Sequence, residues 1–236
     1  MTDTMYAEIS AAPDFTAVGS ALPSIYHELS FGEFRDGHYF QYIPAGVDRT
    51  KPTPTLIFLH GSGGNFKAYT WLLSKVADEL GITLIAPTFG MGNWEKKGGY
   101  EAITRAIADA GKHAAIDPGQ IHLIGLSNGG KSLCLAESTS GPKFRSLIFL
   151  SGGSDERVPW DYVSGYAEKL KEGGMEVTSR RFDGEDHFLI FRQRRGVATR
   201  CRVDCRRLDE TNSSTALNFQ RFSAACVFQP WRPGPP

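Results

Sequence analysis

Cysteine is scarce, with 4 in 236 residues, and their placement does not suggest a disulfide framework. Cys134 falls where burial as a small apolar residue is expected. Cys201, Cys205 and Cys226 lie together near the end, and a Cys-x-x-x-Cys pair without a nearby histidine or second pair is poor zinc spacing, so no metal is expected. Net charge is lacking too: 26 Lys plus Arg balance 26 Asp plus Glu, which gives no electrostatic reason to expect nucleic acid, a membrane surface or an acidic partner. No run approaches the roughly 18 apolar residues of a membrane span. Residues 1–20 contain Asp3, Glu8 and Asp14 and lack the basic start and apolar run of a secretory signal. These absences lead to the expectation of a soluble, cytoplasmic protein acting on a small substrate of low charge.

What the chain does have is 41% hydrophobic residues, enough for one ordinary domain with a sizeable core. After a mixed lead-in over residues 1–23, Tyr26, Leu29, Phe31, Phe34, Tyr39 and Tyr42 are separated by polar residues and turn signals, the pattern of antiparallel edge strands. Residues 55–59 are apolar on both faces, as in a parallel strand buried between helices. Trp71, Leu72, Val76 and Leu80 then fall at helical spacing, with Gly81 as the stop. Residues 82–86 predict a strand, Ile103, Ile107 and Ala110 a helix, and residues 121–125 a further strand. Beyond these come a strand over 144–151, a helix over 161–171 and a strand over 176–182. Such alternation predicts an α/β fold, a mostly parallel sheet with helices on both faces and ligand-binding loops at the carboxyl ends of the strands.

Four glycine-bearing motifs end four of these strands. Gly125-Leu126-Ser127-Asn128-Gly129 follows an apolar strand and precedes a predicted helix containing Lys131, Leu133, Leu135 and Glu137, the context of a nucleophile elbow. A turn tight enough to expose a serine hydroxyl above a sheet leaves no room for side chains two positions either side. A chain with 26 glycines also produces Gly-x-Ser-x-Gly by accident, and an ordinary glycine-rich turn would read the same way. The other motifs are His60-Gly61-Ser62-Gly63-Gly64, Gly152-x-x-Asp155-x-x-x-Pro159 and Gly184-x-Asp186-His187. His60 suits a structural role better than a catalytic one. Asp155 could instead serve only to cap the helix that begins near Pro159, the less favoured reading. Asp161 is the runner-up acid, ahead of Asp186. His27, His38, His113 and His122 have no motif around them and read as surface or packing residues.

In the order Ser127, Asp155, His187, these motifs resemble the α/β-hydrolase superfamily, and within it the small carboxylesterase, phospholipase/carboxylesterase and dienelactone-hydrolase-like group; the resemblance covers about residues 24–191. It implies Ser127 as nucleophile, His187 as general base and acid, and Asp155 as the residue that orients the imidazole. It places the oxyanion donors at the backbone N–H groups of Asn128 and Ser62, with Gly63 a weaker choice for the second. Trp94, in the loop after the strand over 82–86, reads equally as pocket wall or as packing, and Gly63 is a further candidate for the substrate pocket. The implied activity is hydrolysis of a small-molecule ester with short or medium acyl chains, using no metal or organic cofactor. A catalytically silent binding module, or thioesterase, lipase-like or polyester-depolymerising activity, are the other readings. The oligomeric state is not legible in the sequence.

Two features depart from the resembled pattern. Only one predicted strand fits between Ser127 and Asp155 where two are usual, which would shift the acid by about 4.8 Å, one strand spacing. Residues 192–236 are expected to be an atypical, largely irregular tail. Seven arginines stand between Arg192 and Arg207 while every lysine lies at or before Lys171, the mark of a replaced or out-of-frame ending. An arginine-rich arm for an anionic partner is the rival reading.

Overall fold

The computed structural model describes residues 29–31, 36–133 and 143–189. The lead-in over 1–23, the tail from 192 and its three cysteines, Cys134 and the later part of the helix expected after Ser127 lie outside the described residues. Among the described residues six strands form one sheet: β1 (Asp36–Tyr42), β2 (Thr53–Leu59), β3 (Thr83–Phe89), β4 (Ile116–Gly125), β5 (Ser146–Gly152) and β6 (Val177–Phe182). Their spatial order is β1-β3-β2-β4-β5-β6. β1 runs antiparallel to β3, and every other pairing is parallel. The antiparallel edge predicted before residue 50 is thus present in β1. Leu29–Phe31, by contrast, is a helical, exposed segment rather than a strand; Leu29 and Phe31 lie 67% and 69% exposed, too open for a strand seated on the core.

The sheet is covered on both faces, and the alternation of β2 shows why. Leu56 and Phe58 point to one side, where Tyr69, Leu73, Val76 and Ala77 of α1 (Lys67–Leu80) meet them together with Leu84, Ala86 and Ile124. Ile57 and Leu59 point to the other, against Ala102, Ile103, Ala106 and Ala110 of α2 (Gly99–Ala110) and in one cluster with Val163, Ala167 and Leu170 of α4 (Trp160–Glu172). A central strand that must be apolar at every position follows from this two-sided burial. α1 ends at Gly81 in the left-handed conformation (φ 63°), its N–H donating to Ala77 O, as the sequence predicted. Among the described residues no helix is long and apolar enough to cross a membrane.

The connection from β2 through α1 goes to β3 on one side of β2, whereas β4 lies on the other side. The chain order therefore reverses at the β2/β4 boundary, and the crevice at the carboxyl ends of those strands is where an open α/β sheet binds its ligand. Leu59 pairs with Gly125 at that boundary, so the two strands finish level with one another. The two loops that leave them are the His60 and Ser127 motifs.

Phe58 is 1% exposed, with its ring 5.3 Å from that of Tyr69. Phe58→Ala is expected to lower unfolding free energy by about 4 kcal/mol. Urea denaturation followed by circular dichroism checks this, and a loss under about 1 kcal/mol would contradict the packing described.

Candidate active site

Ser127 has φ 55° and ψ −115°, the one positive φ at a non-glycine residue among those described. Such a backbone costs about 1–3 kcal/mol and persists only where its surroundings enforce it. Here they do. A Cβ on Gly125 would lie 2.3 Å from Gly129 C, and one on Gly129 would lie 2.2 Å from Leu59 O. Strand end, turn and the short helix α3 (Asn128–Lys131) are in backbone contact, so both glycines of the motif are required by space.

The His60 loop is pressed against the same turn. A Cβ on Gly61 would stand 2.7 Å from Leu126 O and 2.9 Å from Ser127 Cβ, and one on Gly92 would stand 2.7 Å from His60 O. His60 is fully buried; its Nε2 accepts the Phe89 N–H at 3.1 Å and its Nδ1–H donates to Gly61 O at 2.8 Å. Both ring nitrogens are therefore used in holding the loop, in the neutral tautomer. Burial pushes the imidazole down to about 4, with the Gly61 hydrogen bond opposing. Trp94 is also fully buried, packs against His60 and Phe89, and donates its indole N–H to His60 O at 3.0 Å. Its expected place in the substrate pocket is corrected to a support beneath the His60 loop: an aromatic ring with a partner for its N–H is most stable in the core. Gly63, the other pocket candidate, is exposed at φ 93° with nothing within 4 Å of a Cβ, and does not line the pocket beside Ser127.

Asp155 follows β5 and His187 follows β6. His187 Nδ1–H donates to Asp155 Oδ2 at 2.9 Å, while Oδ1 accepts the N–H groups of Arg157 and Val158, each at 2.9 Å. The bond to His187 and the cap of the turn before α4 are thus made by one carboxylate, each on its own oxygen. With Nδ1 carrying the hydrogen, Nε2 is left as the acceptor nitrogen. The two loops are laced together by Gly153 N to Phe182 O at 2.7 Å and Ser154 N to Glu185 O at 2.8 Å. A Cβ on Gly152 would sit 2.3 Å from Glu185 O, so the motif glycine admits the histidine loop. Asp186 instead accepts the Phe188 N–H, and Asp161 stands in the first turn of α4.

The strand deficit does not part these groups. β5 pairs directly with β4, and β6 with β5, so Ser127, Asp155 and His187 leave three neighbouring strands. All three line one pocket, with Phe149, Val158, Val163, Tyr166 and Leu189 supplying apolar wall and Lys131 a charge. Ser127 and His187 share this pocket without a direct hydrogen bond between them among the described residues. Sequence reasoning missed Tyr162 and Tyr166, whose rings stack at 6.3 Å; their spacing of four on a helix was the available signal. Of the unassigned histidines, His38 and His113 are exposed, and His122 is buried with Nδ1 2.7 Å from Ser146 Oγ. His27 lies outside the described residues.

No family model matches the chain, and no curated protein does. Solved structures do. The native form of an esterase from the Planctomycetes species Thermogutta terrifontis superimposes with a TM-score of 0.54 at 14% identity, covering 76% of this chain and 87% of that one. The chain has the α/β-hydrolase fold. The propionate-bound form of the same protein gives a TM-score of 0.54 at 14% identity over 70% of this chain and 84% of its own. Its paraoxon-phosphorylated form gives 0.53 at 15% identity, over 64% and 79%. On this α/β-hydrolase scaffold the reversal point of the sheet, the Ser127 turn and the Asp155–His187 pair all stand at the same edge.

The His60 shift makes a pH prediction. Its folded value, about 4, lies below the ordinary 6.5, so between those values the unfolded chain binds more protons than the folded one. Stability is therefore whole above about pH 6.5, falls as pH drops toward 4, and loses on the order of 3 kcal/mol from this residue. His122, lowered to about 4 by burial and by Arg145, acts in the same direction. Urea denaturation at pH 7 and pH 5 captures about 2 kcal/mol of this loss, and equal stability at the two values would contradict it.

Proposed function

We propose that the chain is a serine hydrolase that cleaves carboxylic esters of short or medium acyl chains, with Ser127, His187 and Asp155 as its catalytic triad. The observation that carries this reading is the Asp155–His187 hydrogen bond at 2.9 Å in the pocket that the strained Ser127 also lines. A serine held at positive φ by backbone crowding has no evident structural use; raised above a sheet beside an oriented imidazole, it has a chemical one.

In the proposed reaction Ser127 Oγ attacks the ester carbonyl carbon as His187 Nε2 takes its proton. Asp155, already paired to Nδ1, stabilises the imidazolium. The carbonyl oxygen, now an oxyanion, is met by the backbone N–H groups of Asn128 and Ser62. Collapse expels the alcohol, to whose oxygen His187 returns the proton, leaving an acyl-serine. Water, deprotonated by the same imidazole, attacks that acyl group, and the carboxylic acid departs with the serine restored. Every proton and bond in this sequence is handled by groups of the chain, so the reaction calls for no cofactor. The Ser127–His187 contact closes as substrate enters; catalytic hydrogen bonds of this kind commonly tighten only then.

The choice of an ester with a small acyl group rests on two supports. The walls formed by Phe149, Val158 and Val163 are apolar and suit a hydrocarbon chain. The fold neighbour from T. terrifontis is an esterase with structures that hold propionate and butyrate, carboxylates of the size proposed here as products.

Hydrolysis of p-nitrophenyl butyrate tests the assignment. Ser127→Ala is expected to abolish turnover, and Asp155→Asn to lower kcat by about 10⁴-fold through loss of the correct tautomer. Parent-level turnover in either variant, or an inactive parent of intact fold, would overturn it.

A further inference from the structure

We propose that the side chain of Asn128 is a positioning residue, clamping the Ser62 loop so that the second oxyanion donor is held in place. This deepens the reading above and rests on it. Asn128 was assigned only a backbone role; its amide has one of its own. Nδ2–H donates to Ser62 Oγ at 2.8 Å, and the same nitrogen reaches Asn93 Oδ1 at 3.4 Å. The residue that carries one donor thus bonds the side chain of the residue that carries the other.

The need for a clamp follows from how the loop is built. Gly61 is fixed by backbone packing against Leu126 and Ser127. Asn65 is fixed by three bonds from its buried amide, to Ala86 O, Pro87 O and Thr88 Oγ1, at 2.8 to 3.2 Å. Between them Ser62 and Gly63 are exposed, Gly63 and Gly64 have φ of 93° and 97°, and nothing stands within 4 Å of a Cβ on Gly63. Ser62 and Gly63 are the open span, Gly64 being buried, and Gly63 leaves the Ser62 N–H free to swing, since glycine opposes rotation least of all residues. A backbone turn bond, Gly64 N to Gly61 O, is long at 3.4 Å. The Asn128 amide is the short bond that ties the unpacked stretch to the nucleophile turn. The elbow receives a second tie beyond it, from Ser132 Oγ to Glu95 Oε2 at 3.1 Å, so the loops after β2 and β3 are both anchored to α3 and its end.

A group that only positions a donor should alter turnover more than binding, and its partner should share the effect. On p-nitrophenyl butyrate, Asn128→Ala and Ser62→Ala are each expected to lower kcat about 10-fold with KM changed less than about twofold. The double variant should be no slower than either single one, because both remove the same bond. Ser62→Thr, which keeps the oxygen, should recover most of the rate lost in Ser62→Ala. A kcat within twofold of the parent in Asn128→Ala, or multiplying losses in the double variant, would overturn the clamp. Backbone amide order parameters over residues 62–64 provide a readout independent of turnover. They should fall in Asn128→Ala while those of the sheet stay constant, and unchanged values would sink the proposal. Should the parent be inactive, the esterase reading falls by itself and the order parameters alone decide the clamp.

Discussion

Backbone crowding at the end of β4 is the constraint on which the rest of this site depends. Gly125, Gly129, Gly61 and Gly92 each stand where a single added carbon would meet main-chain atoms at less than 3 Å. Close packing of that kind leaves a turn no continuous freedom, and Ser127 is driven to φ 55°. The large two-sided core of the sheet supplies the stability against which this local strain is held. The same crowding brings Gly61 of the His60 loop against Leu126 and Ser127 at the point where strand order reverses.

The second half of the site is assembled by hydrogen bonds instead of by steric exclusion. The loops after β5 and β6 are joined main chain to main chain, and the Asp155 carboxylate divides its oxygens between its own turn and His187. This division shows how Asp155 and His187 stay together although a single strand lies between Ser127 and Asp155 in the chain. Asp155 is not moved relative to His187 when both leave adjacent strands; only their joint placement relative to Ser127 changes, and all three line one pocket.

Much of this was legible in the chain because it is encoded locally. The unbroken apolar run at residues 55–59 announced a strand buried on both faces, and Gly81 announced the end of α1. The four glycine motifs announced the carboxyl-end loops, since a turn that needs glycine for space can be read from glycine alone. What was not legible depends on distant partners. Trp94 in a long loop reads equally well as pocket or core, and its burial under His60 is decided by a carbonyl 34 residues away. The amide of Asn128 meets Ser62 across 66 residues, a contact with no pattern of its own in the sequence. Leu29–Phe31 read as strand because alternation alone does not say whether a neighbouring strand is there to pair with.

Mass analysis of the purified chain after treatment with a fluorophosphonate, beside Ser127→Ala and His187→Ala, most directly tests whether this edge of the sheet activates a serine. Such a reagent requires no knowledge of the natural ester, only a hydroxyl made nucleophilic by a base. The account predicts one adduct on the parent, lost in Ser127→Ala and strongly slowed in His187→Ala. A folded parent that takes up no adduct, or an adduct that survives Ser127→Ala, would contradict it.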